Sequence, residues 1–182
     1  KEMEVEGIEL PSAILAVRLL IFTGCRLNEI MTLKWEHVDF ADRVLRLPDS
    51  KTGAKVVHLG QPAIEHLKAA TAIKGNPFVI TGTLEGKRLT DLQPFWQRVR
   101  ARAGLKDARI HDLRHTFAVL RLLSWYEADA DLGAKLPLLA TYLGHAGLAN
   151  CQVYLHMTGD LVAEVTRLQL AHFGGLITEV TQ

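Results

Sequence analysis

The densest group of chemistry-bearing side chains in the sequence is His111-Asp112-Leu113-Arg114-His115. On a helix, residues three and four apart share a face, so His111, Arg114 and His115 project together while Leu113 turns toward packing. Three cationic or protonatable groups on one face suit an anion, a phosphate above all. The alternative is a solvated helix end, with Asp112 and the histidines satisfying backbone groups. A second arginine, Arg26, stands where two apolar stretches meet, beside the backbone N–H groups that a helix start leaves free. That setting also suits an oxyanion, with a surface ion pair to Glu29 as the plain alternative. Lys51 lies in Asp49-Ser50-Lys51-Thr52-Gly53, a turn between two short β-type runs. At a hairpin tip it can reach away from the body of the domain, although a lysine so placed is most often a solvent lysine.

These residues need elements to hold them. Pro11-Ser12 opens an apolar run from Ala13 to Phe22, dense enough for a buried helix, and Thr23-Gly24 ends it. Arg26 to Leu33 reads as a second short helix with Leu27, Ile30, Met31 and Leu33 inward. Val38–Phe40, Arg43–Leu47 and Lys55–Leu59 alternate or are β-branched, which predicts a small antiparallel sheet. Gln61-Pro62 begins a helix to about Ile73, broken by Lys74-Gly75-Asn76-Pro77, and Phe78-Val79-Ile80 is short and apolar. Thr90-Asp91 caps a helix through Arg102, stopped by Gly104. The His111 motif opens a helix to about Trp125. Tyr126 to Lys135 reads as a polar connector, Leu136 to Tyr142 as a short apolar helix stopped by Gly144, and His145 follows that stop. Ala149–His156 and Asp160–Ala171 complete a mainly α fold with a small antiparallel β-sheet, an α+β domain.

With 182 residues the chain is long enough for one domain with a real core. No apolar run reaches the roughly 18–20 residues of a membrane span, and no signal peptide is visible. The start Lys1-Glu2-Met3-Glu4-Val5-Glu6 suggests a fragment of a longer chain. Net charge is only +1, which excludes a bulk polycation. Yet Lys87, Arg88, Arg98, Arg100, Arg102, Lys106, Arg109, Arg114 and Arg121 fall in one stretch opposed only by Asp91, Asp107 and Asp112, a local basic face that fits a polyanion or an ordinary solvated surface. Cys25 and Cys151 lie outside any CxxC spacing and read as packing residues in a reducing compartment.

Five ordered pieces carry a resemblance: Thr23-Gly24-Cys25-Arg26-Leu27-Asn28-Glu29-Ile30, Ser50-Lys51-Thr52-Gly53, His111-Asp112-Leu113-Arg114-His115-Thr116-Phe117, Leu143-Gly144-His145, and Tyr154 nine residues after His145. In this order and spacing the chain resembles the catalytic domain of the tyrosine recombinases, the phage-integrase family. The resemblance implies DNA strand cleavage and rejoining through a 3′-phosphotyrosyl intermediate, without metal, ATP or other cofactor. Tyr154 is then the nucleophile, Arg26 and Arg114 clamp the scissile phosphate, Lys51 is the general acid for the leaving 5′ oxygen, His111 is the proton acceptor, His145 donates to a non-bridging oxygen, and His115 supports the site. Tyr142 and Tyr126 do not follow His145 and are not the expected nucleophile. The implied partners are double-stranded DNA and further copies in a tetramer on paired sites, with no membrane; the implied location is the cytoplasm, on the nucleoid. The whole chain, residues 1–182, is the expected catalytic domain, lacking the family's N-terminal DNA-clamping domain. Two departures are a longer connector from Trp125 to Pro137, read as a loop insertion, and Cys151 where relatives often carry a small hydroxyl residue.

Other readings are a metal site, a type IB topoisomerase and a non-catalytic DNA-binding module. His111 and His115 have i, i+4 spacing, and His145, Cys151 and His156 could add ligands, but no HExxH glutamate is present and Arg114 between the histidines repels a cation. A binding module accounts for the basic face but not for Lys51, His145 and Tyr154 together. A topoisomerase shares the tyrosine chemistry, but the wording of the His111 motif favours strand exchange.

Overall fold

The computed structural model describes Met3, residues 9–48 and residues 53–144. Backbone proximity divides the chain into two compact units, residues 1–117 and 118–182.

In the first unit, Pro11 opens helix α1 (Pro11–Thr23), where its missing N–H costs nothing. The helix is apolar on most sides and accordingly buried; Ala16, Val17, Leu19 and Leu20 are almost inaccessible to solvent. Gly24 ends it in the left-handed conformation at φ 61°, its N–H donating to the Leu20 carbonyl. Helix α2 (Leu27–Met31) follows after two residues, and both α2 and α3 (Gln61–Ala69) pack against α1. On the α1–α3 contact Phe22 and His66 stack at 5.6 Å between ring centroids.

A single turn of 3₁₀ helix (Trp35–His37) leads into a three-stranded antiparallel sheet of β1 (Val38–Asp39), β2 (Val44–Leu47) and β3 (Lys55–His58), in the order β1-β2-β3. The expected sheet is therefore present, though β1 holds only two residues and leaves Phe40 exposed at a turn. In the β2–β3 register Leu45 faces Val57 and Leu47 faces Lys55. Paired residues share a face. Leu45, Leu47 and Val57 are buried, so this face is the inner one.

Helix α3 ends at Ala69 rather than about Ile73. Leu67 is its last buried anchor and Ile73 is exposed, so no apolar contact carries the helix further. Phe78-Val79-Ile80 does not join the sheet. Its neighbours bond across to the segment after α2, Trp35 N–H to the Pro77 carbonyl and Val79 N–H to the Leu33 carbonyl, both at 2.9 Å. Helix α4 (Gln93–Arg102) starts two residues after Asp91, whose carboxylate accepts the Gln93 N–H at 2.8 Å. Phe95, Trp96 and Val99 form its buried stripe, and the Trp96 indole donates to the Ala108 carbonyl. Helix α5 (Asp112–Glu127) begins in this unit, with the Asp112 carboxylate accepting the Arg109 N–H at 2.8 Å.

The second unit holds the rest of α5, where Ala118, Leu122 and Leu123 are buried, and helix α6 (Leu132–Leu143). The long polar connector expected between them is a correction. α5 runs on to Glu127 and α6 starts at Leu132, leaving only residues 128–131 as a turn. Asp131 caps α6 by accepting the Ala134 N–H, and Asp129 turns the chain at φ 52°. Pro137 sits inside α6 without ending it, because Leu136, Leu139, Ala140 and Leu143 form a buried i, i+3, i+4, i+7 stripe across it. Among the described residues no helix is long and apolar enough to cross a membrane.

Candidate active site

Arg26, His111, Arg114 and His115 all lie in the first unit; Arg114 bonds the turn after α1, and Arg26 follows that turn in the chain but turns its side chain to Glu29. Arg114, on the first turn of α5, is buried to 4% exposure, and its Nη1 donates to the Gly24 carbonyl at 2.6 Å. A buried guanidinium needs its donors satisfied, and a backbone carbonyl does this without cancelling the charge. One helical turn on, Phe117 presses on the same residue: a Cβ at Gly24 would lie 2.4 Å from the Phe117 ring. Glycine is therefore required at position 24 twice over, by φ and by the aromatic ring.

Arg26 stands two residues beyond, as the residue preceding α2. Glu29 reaches back to it. Glu29 Oε2 accepts the Arg26 N–H at 2.8 Å and Oε1 accepts from Arg26 Nη1 at 3.2 Å. The carboxylate is itself buried, so the plain surface pair is in fact a half-buried anchor. Lys55 Nζ donates to the same carboxylate at 2.9 Å. Burial alone pushes the Glu29 carboxyl up, but the bonds from Lys55 and Arg26 outweigh it and hold the group below its ordinary value of 4.5.

His111 and Arg114 line a common cleft of about 340 Å³, together with Cys25, Trp96, Arg100 and Arg109. The His111 ring lies edge-on to that of His115, with centroids 5.0 Å apart. Burial first, then the neighbouring His115 and Arg114, hold His111 below its ordinary value of 6.5, so it stays neutral near pH 7 and able to accept a proton. Burial pushes the Cys25 thiol up to about 11, which makes it a packing residue rather than a nucleophile. Lys51, His145 and Tyr154 lie outside the described residues. His145, Cys151 and His156, the further ligands of the metal reading, lie there too; among the described residues no group of three His, Cys, Asp or Glu could hold a metal ion.

Two features escaped the sequence reading. One is Lys55, taken there only as a strand residue. Its signal was weak: two-residue periodicity puts Lys55 on one face with Val57, but Val56 is apolar too, so only the structure shows that this face is the inner one and that the charge needs a buried partner. The other is the state of the basic stretch. Arg98 and Arg102 on α4 both pair with Glu9, at 2.6 and 2.9 Å, and Arg109 pairs with Asp112 at 3.2 Å. Three of the nine basic residues counted along the sequence are thus paired with carboxylates.

Comparison with known proteins gives the family. The family model described as "Phage integrase family" matches residues 6–160, a span that contains all seven residues singled out above. The y4rB protein of Sinorhizobium fredii (strain NBRC 101917 / NGR234), which carries an integrase/recombinase name, is 35% identical over 166 residues, covering 82% of this chain and 52% of that protein. Tyrosine recombinase XerC of Mycobacterium sp. (strain KMS) is 33% identical over 170 residues, covering 87% and 51%. The chain thus spans about half the length of the curated relatives it matches. A crystal structure of the XerH site-specific recombinase, bound to a palindromic difH substrate in a post-cleavage complex, shares the fold. Its TM-score is 0.66 at 21% identity, over 94% of this chain and 49% of that one. A mainly helical fold with a small antiparallel sheet agrees with the family model and the curated relatives: the chain belongs to the phage integrase family of tyrosine recombinases.

Proposed function

We propose that this chain is the catalytic domain of a site-specific DNA recombinase that cleaves and rejoins strands through Tyr154. The observation that carries the reading is the shared turn, at which the Arg114 guanidinium bonds the Gly24 carbonyl two residues from Arg26. Two guanidiniums held by fixed partners are suited to a phosphoryl transition state, whose charge spreads over non-bridging oxygens and needs donors already in place. Lysines could not supply that multidentate geometry.

In this scheme the Tyr154 hydroxyl attacks the scissile phosphorus and its proton passes to neutral His111. The bond from phosphorus to the 5′ oxygen breaks, and Lys51 protonates the departing oxygen. Arg26, Arg114 and His145 donate to the non-bridging oxygens. Tyrosine has an ordinary pKa of about 10, so the base and the cationic surroundings are what make it a nucleophile near neutral pH. The product is a 3′-phosphotyrosyl ester and a free 5′ hydroxyl; attack by a hydroxyl from another strand reverses the step. One phosphoester replaces another, so no ATP is required, and in this scheme the cationic side chains take the charge-stabilising role a metal would otherwise have. The protein works as a tetramer on paired sites in double-stranded DNA, in the cytoplasm on the nucleoid, with His115 supporting His111.

The test uses the full-length protein and a nicked suicide substrate built from the DNA flanking its gene, with chelator and without nucleotide. The wild type forms a covalent protein–DNA adduct and Tyr154→Phe forms none. An adduct that persists in Tyr154→Phe overturns the nucleophile assignment, and one that needs added divalent metal overturns the metal-free scheme.

A further inference from the structure

Glu29 is one carboxylate between two cations. Lys55 Nζ lies 2.9 Å from Oε2, with the two side chains 13% and 4% exposed. Arg26 Nη1 lies 3.2 Å from Oε1. The inner face of β3 is an expensive place for an ammonium group, since taking it out of water must be offset by a well-made partner. A carboxylate bonded to Arg26 alone would also counter the guanidinium and compete with a phosphate for its N–H groups. With Lys55 included, the three side chains keep a net positive charge, and Glu29 is shared rather than given wholly to Arg26. Lys55 also stands four residues after Lys51 in sequence, on the strand that follows the Lys51 turn.

We propose that Lys55 is a positioning residue for Arg26: by engaging Glu29 it leaves the Arg26 guanidinium its charge toward a phosphate, and it ties β3 to the start of α2. This rests on the strand-transfer reading above, and within it Lys55 touches no reacting atom. Its ammonium acts through the Glu29 carboxylate, so its removal matters most when phosphate charge develops, at the transition state.

The experiment compares full-length wild type, Lys55→Met, Lys55→Arg and the double variant Glu29→Gln/Lys55→Met in single-turnover cleavage of the nicked substrate, with DNA affinity measured alongside. Lys55→Met slows adduct formation about 10- to 100-fold, the scale of a misplaced or mistuned partner, while DNA affinity changes by less than about three-fold. Lys55→Arg restores the rate. The double variant is faster than Lys55→Met, because no carboxylate charge then draws on Arg26; thermal midpoints are measured alongside, and a merely structural role slows cleavage only in step with the stability lost. Wild-type rates in Lys55→Met, or a double variant slower than the single, overturn the inference. If Lys55→Met fails to fold, the double variant, which buries no unpaired charge, carries the comparison; if that also fails while Lys55→Arg folds, Lys55 serves stability alone and the inference is overturned. An absent wild-type adduct removes the strand-transfer reading and this inference together, whereas a normal wild-type adduct with an indifferent Lys55→Met removes only the inference.

Discussion

Arg114 reaches a neutral carbonyl from a buried position on α5, whereas Arg26 meets a charged carboxylate at its own helix start and stays 23% exposed. The first anchor fixes a guanidinium without touching its charge, but it depends on a residue 90 positions away in sequence. The second is local, three residues along the chain, but it sets a negative charge against the group it holds. A carbonyl anchor thus needs long-range packing to exist, while the carboxylate anchor is shared with a second cation, Lys55, which on the inference above keeps its arginine electropositive.

Substitutions at the two arginines separate these anchors most sharply. Arg114→Lys lowers single-turnover cleavage by about 10²–10³-fold, the cost of one transition-state donor, since one ammonium cannot serve both the Gly24 carbonyl and a phosphate. Arg26→Lys loses less than Arg114→Lys, because an ammonium can still pair with Glu29. Equal losses in cleavage would erase the distinction, and losses in DNA binding as large as those in cleavage would reduce both arginines to binding contacts.

Next in size is the turn itself. Gly24→Ala puts an L-residue at φ 61° and a Cβ 2.4 Å from Phe117. Strain and overpacking together cost about 2–5 kcal/mol, read as a lowered thermal midpoint. Adding Phe117→Leu recovers the steric part only. Full recovery would show that φ is not a constraint here.

Glu29→Gln tests the other anchor through pH. The folded protein holds the Glu29 carboxyl below 4.5, so its contribution is fully present above that value and is lost as pH falls through the lower folded value. The stability gap between wild type and Glu29→Gln therefore closes on acidification below 4.5; a gap that persists unchanged there would mean that ionisation is not what the anchor uses.

The smaller effects lie around the clamp. His111 is held below 6.5 by burial first and by His115 second, so the acid limb of the cleavage rate falls below that value. His115→Asn moves the limb upward while burial still keeps it below 6.5; an unmoved limb removes His115 from the site's electrostatics. Smallest is Glu9→Ala, which takes the carboxylate away from Arg98 and Arg102 and steepens the salt dependence of DNA binding by about one to two charges. A slope that stays the same would mean that these arginines face away from the DNA.

The elements were legible where pattern and punctuation coincide. α1 could be read from its apolar density and Gly24, and α5 from its start at the His111 motif to within two residues of its end. α6 was read too short because Pro137 and the polar stretch from Tyr126 to Lys135 mimic a loop, whereas the Asp131 cap and the leucine stripe outweigh one missing hydrogen bond. In the site, the Arg26–Glu29 pair was legible because it is local. The Arg114–Gly24 bond was not, since nothing in a sequence marks which carbonyl a distant guanidinium will find. Lys55 was hidden for a different reason. Val56 and Val57 are both apolar, so the alternation that assigns the inner face of β3 is blurred, and only the burial of Val57 beside an exposed Val56 resolves it.

The Gly24 turn also bears on how the chain is made. The residues that close on the turn, Arg114 and Phe117, are joined to the chain some ninety positions after it. Contacts of such long sequence separation form late, after the entropy of closing the intervening loop has been met. During synthesis, Arg26 and Glu29 can pair almost at once, yet the second guanidinium arrives only with α5. A nascent chain that still lacks α5 holds one of the two guanidiniums, so under the proposed function it cannot yet present both to a phosphate.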